Sequence, residues 1–129
     1  MASVKGFSHI ALTVTDSKRS ADFYAALFGA QAVDASDAIS PFHICVADDL
    51  MIGFRAHPGA AGGAFDHNRV GLDHLAFTVD DAAELDSWQA KLTELGAENS
   101  GIVEDPAGLH LNARDPDGIA IEFYVQPGG

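Results

Sequence analysis

The sequence predicts an α+β fold: two paired βαβββ modules whose strands form a curled, mostly antiparallel sheet around a polar cavity able to bind a metal. Three observations carry that expectation. A ten-residue segment recurs at a fixed offset, a helix-like stretch follows each copy, and strand alternation collects histidines and a glutamate on one face.

Phe7-Ser-His-Ile-Ala-Leu-Thr-Val-Thr-Asp16 aligns with Leu72-Asp-His-Leu-Ala-Phe-Thr-Val-Asp-Asp81 at an offset of 65, with five identities and three exchanges of one apolar residue for another. A period near half of the 129 residues means two copies of one unit, not a solenoid. Pro58-Gly-Ala-Ala-Gly-Gly-Ala64 has little to bury and reads as the connecting loop. One domain, 1–129, is therefore expected, made of module one at 6–57, a loop at 58–70 and module two at 71–126.

In module one, His9 to Val14 is a short half-apolar run that reads as a strand. Asp16 stands where a helix N-cap belongs, and Phe23 with Leu27 and Tyr24 with Phe28 then pair at i, i+4. Phe42 to Val46 and Leu50 to Arg55 follow as strands joined at Asp48-Asp49. In module two, His74 to Val79 is the matching strand, and Asp81-Ala-Ala-Glu84 resembles a capping box. Leu85, Trp88, Leu92 and Leu95 continue at helical spacing until Gly96, which can take the left-handed conformation that stops a helix. Leu109 to Arg114 and Ile119 to Val125 are strands joined by Asp115-Pro116-Asp117-Gly118, a strong hairpin signal because proline presets φ and glycine accepts a positive one.

Alternation assigns the faces. Ile10, Leu12 and Val14, with Leu75, Phe77 and Val79, are expected to face the helices, as are Leu111, Ala113, Ile121 and Phe123. The same rule applied to module one puts Phe42, Ile44 and Val46 on the helix side and leaves His43, Cys45, Met51, Gly53 and Arg55 opposite. The face away from the helices would then collect His9, His43, His74, His110, Arg55 and Glu122. A lone strand histidine is usually no more than a hydrogen-bonded polar residue. His9 and His74, however, occupy equivalent places in two copies, and Glu122 lies on a third strand facing them. Two imidazoles and a carboxylate suit Fe(II), Mn, Ni, Co or Zn and leave positions open for water or substrate.

Charge narrows the partners. Seven Lys+Arg against nineteen Asp+Glu give a net charge of −12. Such a surface repels phosphate backbones and anionic headgroups, so nucleic acid and membrane are not expected and a small molecule is. The single cysteine, Cys45, forms no intrachain disulfide and reads as a small core-lining residue. No apolar run approaches a membrane span, and the first residues lack a signal-peptide core, so a cytoplasmic protein is expected.

The combination of His9-Ile-Ala-Leu-Thr-Val, Phe23-Tyr24, Leu27, Gly29, His74-Leu-Ala-Phe-Thr-Val-Asp80 and Asp115-Pro-Asp-Gly-Ile-Ala-Ile-Glu122 resembles the vicinal oxygen chelate superfamily over residues 6 to 126. That group includes glyoxalase I, methylmalonyl-CoA epimerase, extradiol dioxygenases, fosfomycin-modifying transferases and metal-free bleomycin-binding proteins. The resemblance implies paired modules curled around a metal, with His9, His74 and Glu122 as ligands and substrate held through two neighbouring oxygens. Glyoxalases and epimerases carry a fourth ligand at the place in module one equivalent to Glu122. Alignment of Leu50–Phe54 with Ile119–Phe123 puts Gly53 there, which neither binds metal nor removes a proton. The remaining triad is the one non-haem Fe(II) oxygenases use, so Fe(II) and extradiol-type dioxygenase chemistry lead. A glyoxalase I-like lyase or isomerase, and a non-catalytic drug- or metabolite-binding resistance protein, are the alternatives. Gly53→Glu would be expected to add a ligand.

His43, His57 and His110 are candidate proton carriers, with no spacing to choose among them. Arg55 could clamp a carboxylate or phosphate, and Asn112 takes the position ten before Glu122 where extradiol enzymes often carry a tyrosine. Thr13, Thr78 and Tyr124 are further candidate substrate contacts. The resemblance also implies a homodimer with metal sites shared between chains, module one of one chain facing module two of the other.

Overall fold

Half-apolar runs bounded by turn residues become eight strands and two helices in the computed structural model of the chain, which describes residues 2–60 and 62–125. They fall into two units, one ending at Gly62 and one beginning at Gly63. Unit one contains β1 (Ile10–Thr13), α1 (Ser17–Phe28), β2 (Gln31–Asp34), β3 (Phe42–Ala47) and β4 (Leu50–Arg55). Unit two repeats the plan with β5 (Leu75–Thr78), α2 (Ala82–Glu94), β6 (Asn99–Asp105), β7 (Gly108–Arg114) and β8 (Ala120–Val125). The two βαβββ modules read from the sequence are thus present as an α+β fold. The strand after each helix, β2 and β6, had no residues assigned to it from the sequence.

Each unit forms its own four-stranded sheet, in the orders β1-β4-β3-β2 and β5-β8-β7-β6. The first strand lies parallel to the last and the other pairings are antiparallel. Local signals explain the ends of the helices. The Asp16 carboxylate accepts the Arg19 amide at 3.1 Å, and α1 stops at Gly29 with φ 64°. Asp81 accepts the Glu84 amide at 3.0 Å, but Glu84 reaches back to the Asp80 amide at 2.8 Å instead of to that of Asp81. Gly96 has φ 73°, as expected of a residue that ends a helix.

Each sheet packs one face on its helix. Tyr24 and Phe54 stack with ring centroids 5.1 Å apart in unit one, and Trp88 and Phe123 at 4.7 Å in unit two. Tyr24, Phe54, Leu85, Leu111 and Phe123 are all fully buried. Each such side chain contributes roughly 1.5–3 kcal/mol by leaving water. The opposite face of each sheet lies away from its helix and is where polar groups can gather.

The β3 faces need correction. The tight turn at Asp48-Asp49 pairs Ala47 with Leu50, so Cys45 pairs with Ile52 and His43 with Phe54. Directly paired residues project from the same face. His43 and Cys45 therefore lie on the helix side, and Phe42, Ile44 and Val46 share the open face with Arg55, Gly53 and Met51. Alternating apolar residues misled here because the open face of unit one is itself apolar. The turn, not hydrophobicity, sets the register.

Candidate metal and substrate site

Two of the expected ligands meet in unit two. His74 immediately precedes β5, and the parallel register sets Ala76 level with Glu122 on β8. His74 Nε2 lies 3.1 Å from Glu122 Oε2, and His74 Nδ1 lies 2.6 Å from Asp73 Oδ1. That hydrogen bond holds the Asp73 carboxyl below its usual pKa. With Nδ1 donating to Asp73, Nε2 is the nitrogen turned toward Glu122, the orientation metal-binding histidines take. Two ligands each about 2.1 Å from one ion and at right angles stand about 3.0 Å apart, so this pair fits a divalent metal. Among the described residues, no group of three or more His, Cys, Asp or Glu side chains is arranged to hold one.

Around the pair opens a polar cavity of about 460 Å³, with His67, Asn112 and Arg114 among its walls. Asn112 pairs across the sheet with Glu122, and His110 with Tyr124. His110 Nδ1 lies 3.8 Å from Glu122 Oε1 and 3.1 Å from Asn112 Oδ1, while Nε2 meets Asp105 Oδ2 at 2.8 Å. Burial alone would lower the His110 pKa. The hydrogen bonds to Asp105 and Asn112 and the charges of Asp105 and Glu122 outweigh it and leave the pKa raised. Tyr124 stacks on the His110 ring at 6.3 Å, and its hydroxyl donates to the Ala107 carbonyl. Thr78 pairs with Tyr124 on the same face and is exposed.

Unit one holds the other expected residues. His9 is exposed, with Nδ1 2.9 Å from Ser8 Oγ. Ala11 pairs with Gly53 as Ala76 pairs with Glu122, so Gly53 does occupy the place equivalent to that glutamate. A Cβ at Gly53 would come 2.8 Å from the Phe42 ring, so the space of the missing ligand is filled by an aromatic side chain. The Arg55 guanidinium lies 4.4 Å from the centroid of that ring. Arg55 is already clamped: Nη1 and Nη2 reach the two Asp37 oxygens at 3.2 Å each, and Nη1 reaches Ser40 Oγ at 2.9 Å. The Asp37 carboxyl, held by this contact and by the Ile39 and Ser40 amides, falls to a pKa of about 2. Its contribution to folding is present above the unfolded carboxylate pKa and is lost only as pH falls through about 2. Thr13 pairs with Arg55 at the end of β1.

Two candidate proton carriers do not join these groups. His43 turns toward α1, with Nδ1 2.8 Å from Ser17 Oγ, and His57 is exposed in the segment after β4. Sequence reasoning missed Asp73 and Asp105 and turned Phe42 to the wrong face, while alternation did place Arg114 on the face of His110 and Asn112. The first two had signals: Asp73 directly precedes a candidate ligand, and Asp105 opens an Asp-Pro-Ala-Gly turn that folds it over β7, where Asp105 pairs with Gly108.

The family model described as "Glyoxalase/Bleomycin resistance protein/Dioxygenase superfamily" matches residues 6–123. Among solved structures, a glyoxylase/bleomycin resistance protein/dioxygenase domain from Frankia sp. EAN1pec is similar at 34% identity and TM-score 0.89, covering 98% of this chain and 96% of that one. A mutant of the fosfomycin resistance protein FosX from Listeria monocytogenes, complexed with Mn(II) and dihydroxypropylphosphonic acid, is similar at 19% identity and TM-score 0.74, covering 98% and 95%. Lactoylglutathione lyase from Agrobacterium tumefaciens follows at 20% identity and TM-score 0.70, covering 95% and 94%. The last two likenesses show the fold alone. No curated protein matches the chain. Among the described residues, no helix is long and apolar enough to cross a membrane.

Proposed function

The chain belongs to the Glyoxalase/Bleomycin resistance protein/Dioxygenase superfamily, and from that we infer that it is a divalent-metal-dependent enzyme acting on a small, oxygen-rich molecule. The observation that carries this reading is the His74–Glu122 contact at 3.1 Å, backed by Asp73 and open to a polar cavity. Metal-bearing relatives lend support, since a FosX structure holds Mn(II). A bound ion would supply Lewis acidity toward the substrate's oxygens. His74 and Glu122 would hold it from unit two, and His9 would be the third ligand, contributed by a second copy of the chain in a homodimer.

The chain's own groups favour oxygen-dependent cleavage of a chelated diol, with Fe(II) as the metal, over glyoxalase-type proton transfer. Module one offers Gly53 and the Phe42 ring where a fourth carboxylate would act as ligand and base. Of the three histidines considered for proton transfer, His110 stands beside Glu122, with Asp105 positioning its far nitrogen. It can hold or release a proton at Nδ1, the atom turned toward the site. Anaerobic purification with elemental analysis, followed by assays on catechol and on methylglyoxal, tests the reading. Stoichiometric metal with oxygen uptake on catechol supports it. Metal with turnover of methylglyoxal alone replaces the oxygenase with a lyase, and protein that takes up no metal points to a binding protein.

Two substitutions probe the site in detail. Asp73→Asn removes the carboxylate that orients His74 and is expected to weaken metal affinity about 10- to 100-fold. A competition titration with a fluorescent chelator reads this, and unchanged affinity would deny Asp73 that part. Gly53→Glu alone is now expected to leave metal affinity unchanged, because its side chain meets Phe42. Combined with Phe42→Ala it should tighten binding by about tenfold or more, since the carboxylate gains room. The same titration checks it: tightening by the single variant would show that the Phe42 ring gives way.

A further inference from the structure

We propose that Arg114 is the anion-binding residue of the unit-two cavity, so that the substrate carries a carboxylate or phosphonate in addition to its chelating oxygens. This rests on the reading that His74 and Glu122 hold the metal. Arg114 pairs with Ala120, one step along the sheet face from the Asn112–Glu122 pair. Continuation of the β5–β8 register sets His74 level with Ala120 as well. Ala120 thus lies between Arg114 and His74 across the sheet, and all three line the cavity.

Accounting for hydrogen bonds separates Arg114 from its neighbours. The Asn99 amide is spent on Thr93, Ala97 and Gly101, and the Ser100 hydroxyl on Gly101 and Asn112, all of which hold the irregular stretch of β6. The Arg114 guanidinium donates to the Gly118 carbonyl at 3.1 Å. Among the described residues it makes no other side-chain hydrogen bond and pairs with no carboxylate, although a guanidinium has five N–H donors. Arg55 shows the contrast, being clamped on both sides by Asp37. The guanidinium is half-buried, and its remaining N–H donors are free to meet an oxyanion in the cavity. The Gly118 contact also fixes the fork. It ties Arg114 to a turn in which Asp115 Oδ1 accepts the Asp117 and Ile119 amides at 2.9 Å each, so little ordering remains to be done when the anion arrives.

The test is calorimetric binding to the Mn(II)-loaded protein under anaerobic conditions, with three probes: catechol, 3,4-dihydroxybenzoate and 3,4-dihydroxyphenylphosphonate. The two anionic probes share the chelating pair and differ in the oxyanion, so their order tells which source the site prefers. At least one of them is expected to bind about 10- to 100-fold more tightly than catechol, the effect of a charge-assisted contact. Arg114→Gln should erase that advantage and Arg114→Lys should keep part of it. Equal affinity for all three probes in the wild-type protein would overturn the proposal, and this comparison does not depend on any variant folding. So would an advantage that survives Arg114→Gln. Failure of every probe, catechol included, on protein that retains Mn(II) would instead overturn the chelation reading, and the Arg114 proposal with it.

Discussion

Alanine at His74 or at Glu122 is expected to take the metal content of purified protein from near one ion per metal site to near none, and His9→Ala to do the same. On the proposed assignment each removes one of three ligands, and two remaining donors cannot hold a labile divalent ion through purification. The fold should survive. Glu122 lies on the sheet face opposite Ile121 and Phe123, and the His9 and His74 side chains lie outside both hydrophobic cores. Truncation therefore leaves no cavity of the kind that costs 2–5 kcal/mol in a core. Elemental analysis beside a thermal melt reads both halves of the expectation. Metal retained at wild-type level in any two of the three variants would refute the ligand assignment.

A metal site shared between chains, as proposed, makes a sharper demand. Mixing His9→Ala chains with Glu122→Ala chains and allowing subunits to exchange should recover metal that neither variant holds alone. In a mixed dimer with sites built across chains, one site collects both lesions and the other collects none. Random pairing makes half of the dimers mixed, so recovery should approach roughly one ion per four chains. Sites formed within a chain would each carry a lesion and recover nothing. Absence of recovery after demonstrated exchange would thus move His9 into its own chain's site without touching the identity of the ligands.

How far the sequence led depended on which signal was available. Repetition and turn chemistry were strong. The equivalence of Gly53 and Glu122 came from aligning two short strands, and the matching parallel registers at Ala11 and Ala76 bear it out. The hairpin at Asp115–Gly118 formed where its residues demanded, with Asp115 buried and bonded to its own turn. Hydrophobic alternation worked in unit two, where the open face is polar, and failed on β3, where Phe42, Ile44 and Val46 form an apolar open face and His43 bonds Ser17. Contacts between side chains far apart in sequence were beyond any periodicity. The clamp of Asp37 on Arg55 spans 18 residues through a loop, and nothing in the spacing distinguishes it from a solvated arginine.

The β3 register has a consequence for how the protein meets oxidants. It turns Cys45 inward, where the thiol is fully buried and burial raises its pKa. A thiol that is neither ionised nor reachable resists peroxide, alkylation and exchange with glutathione. The chain carries no other cysteine. Any inactivation in air would then not run through cysteine chemistry. Reducing agents that work by keeping thiols free would offer no protection, and those that also chelate metals would compete with His74 and Glu122 for the proposed ion.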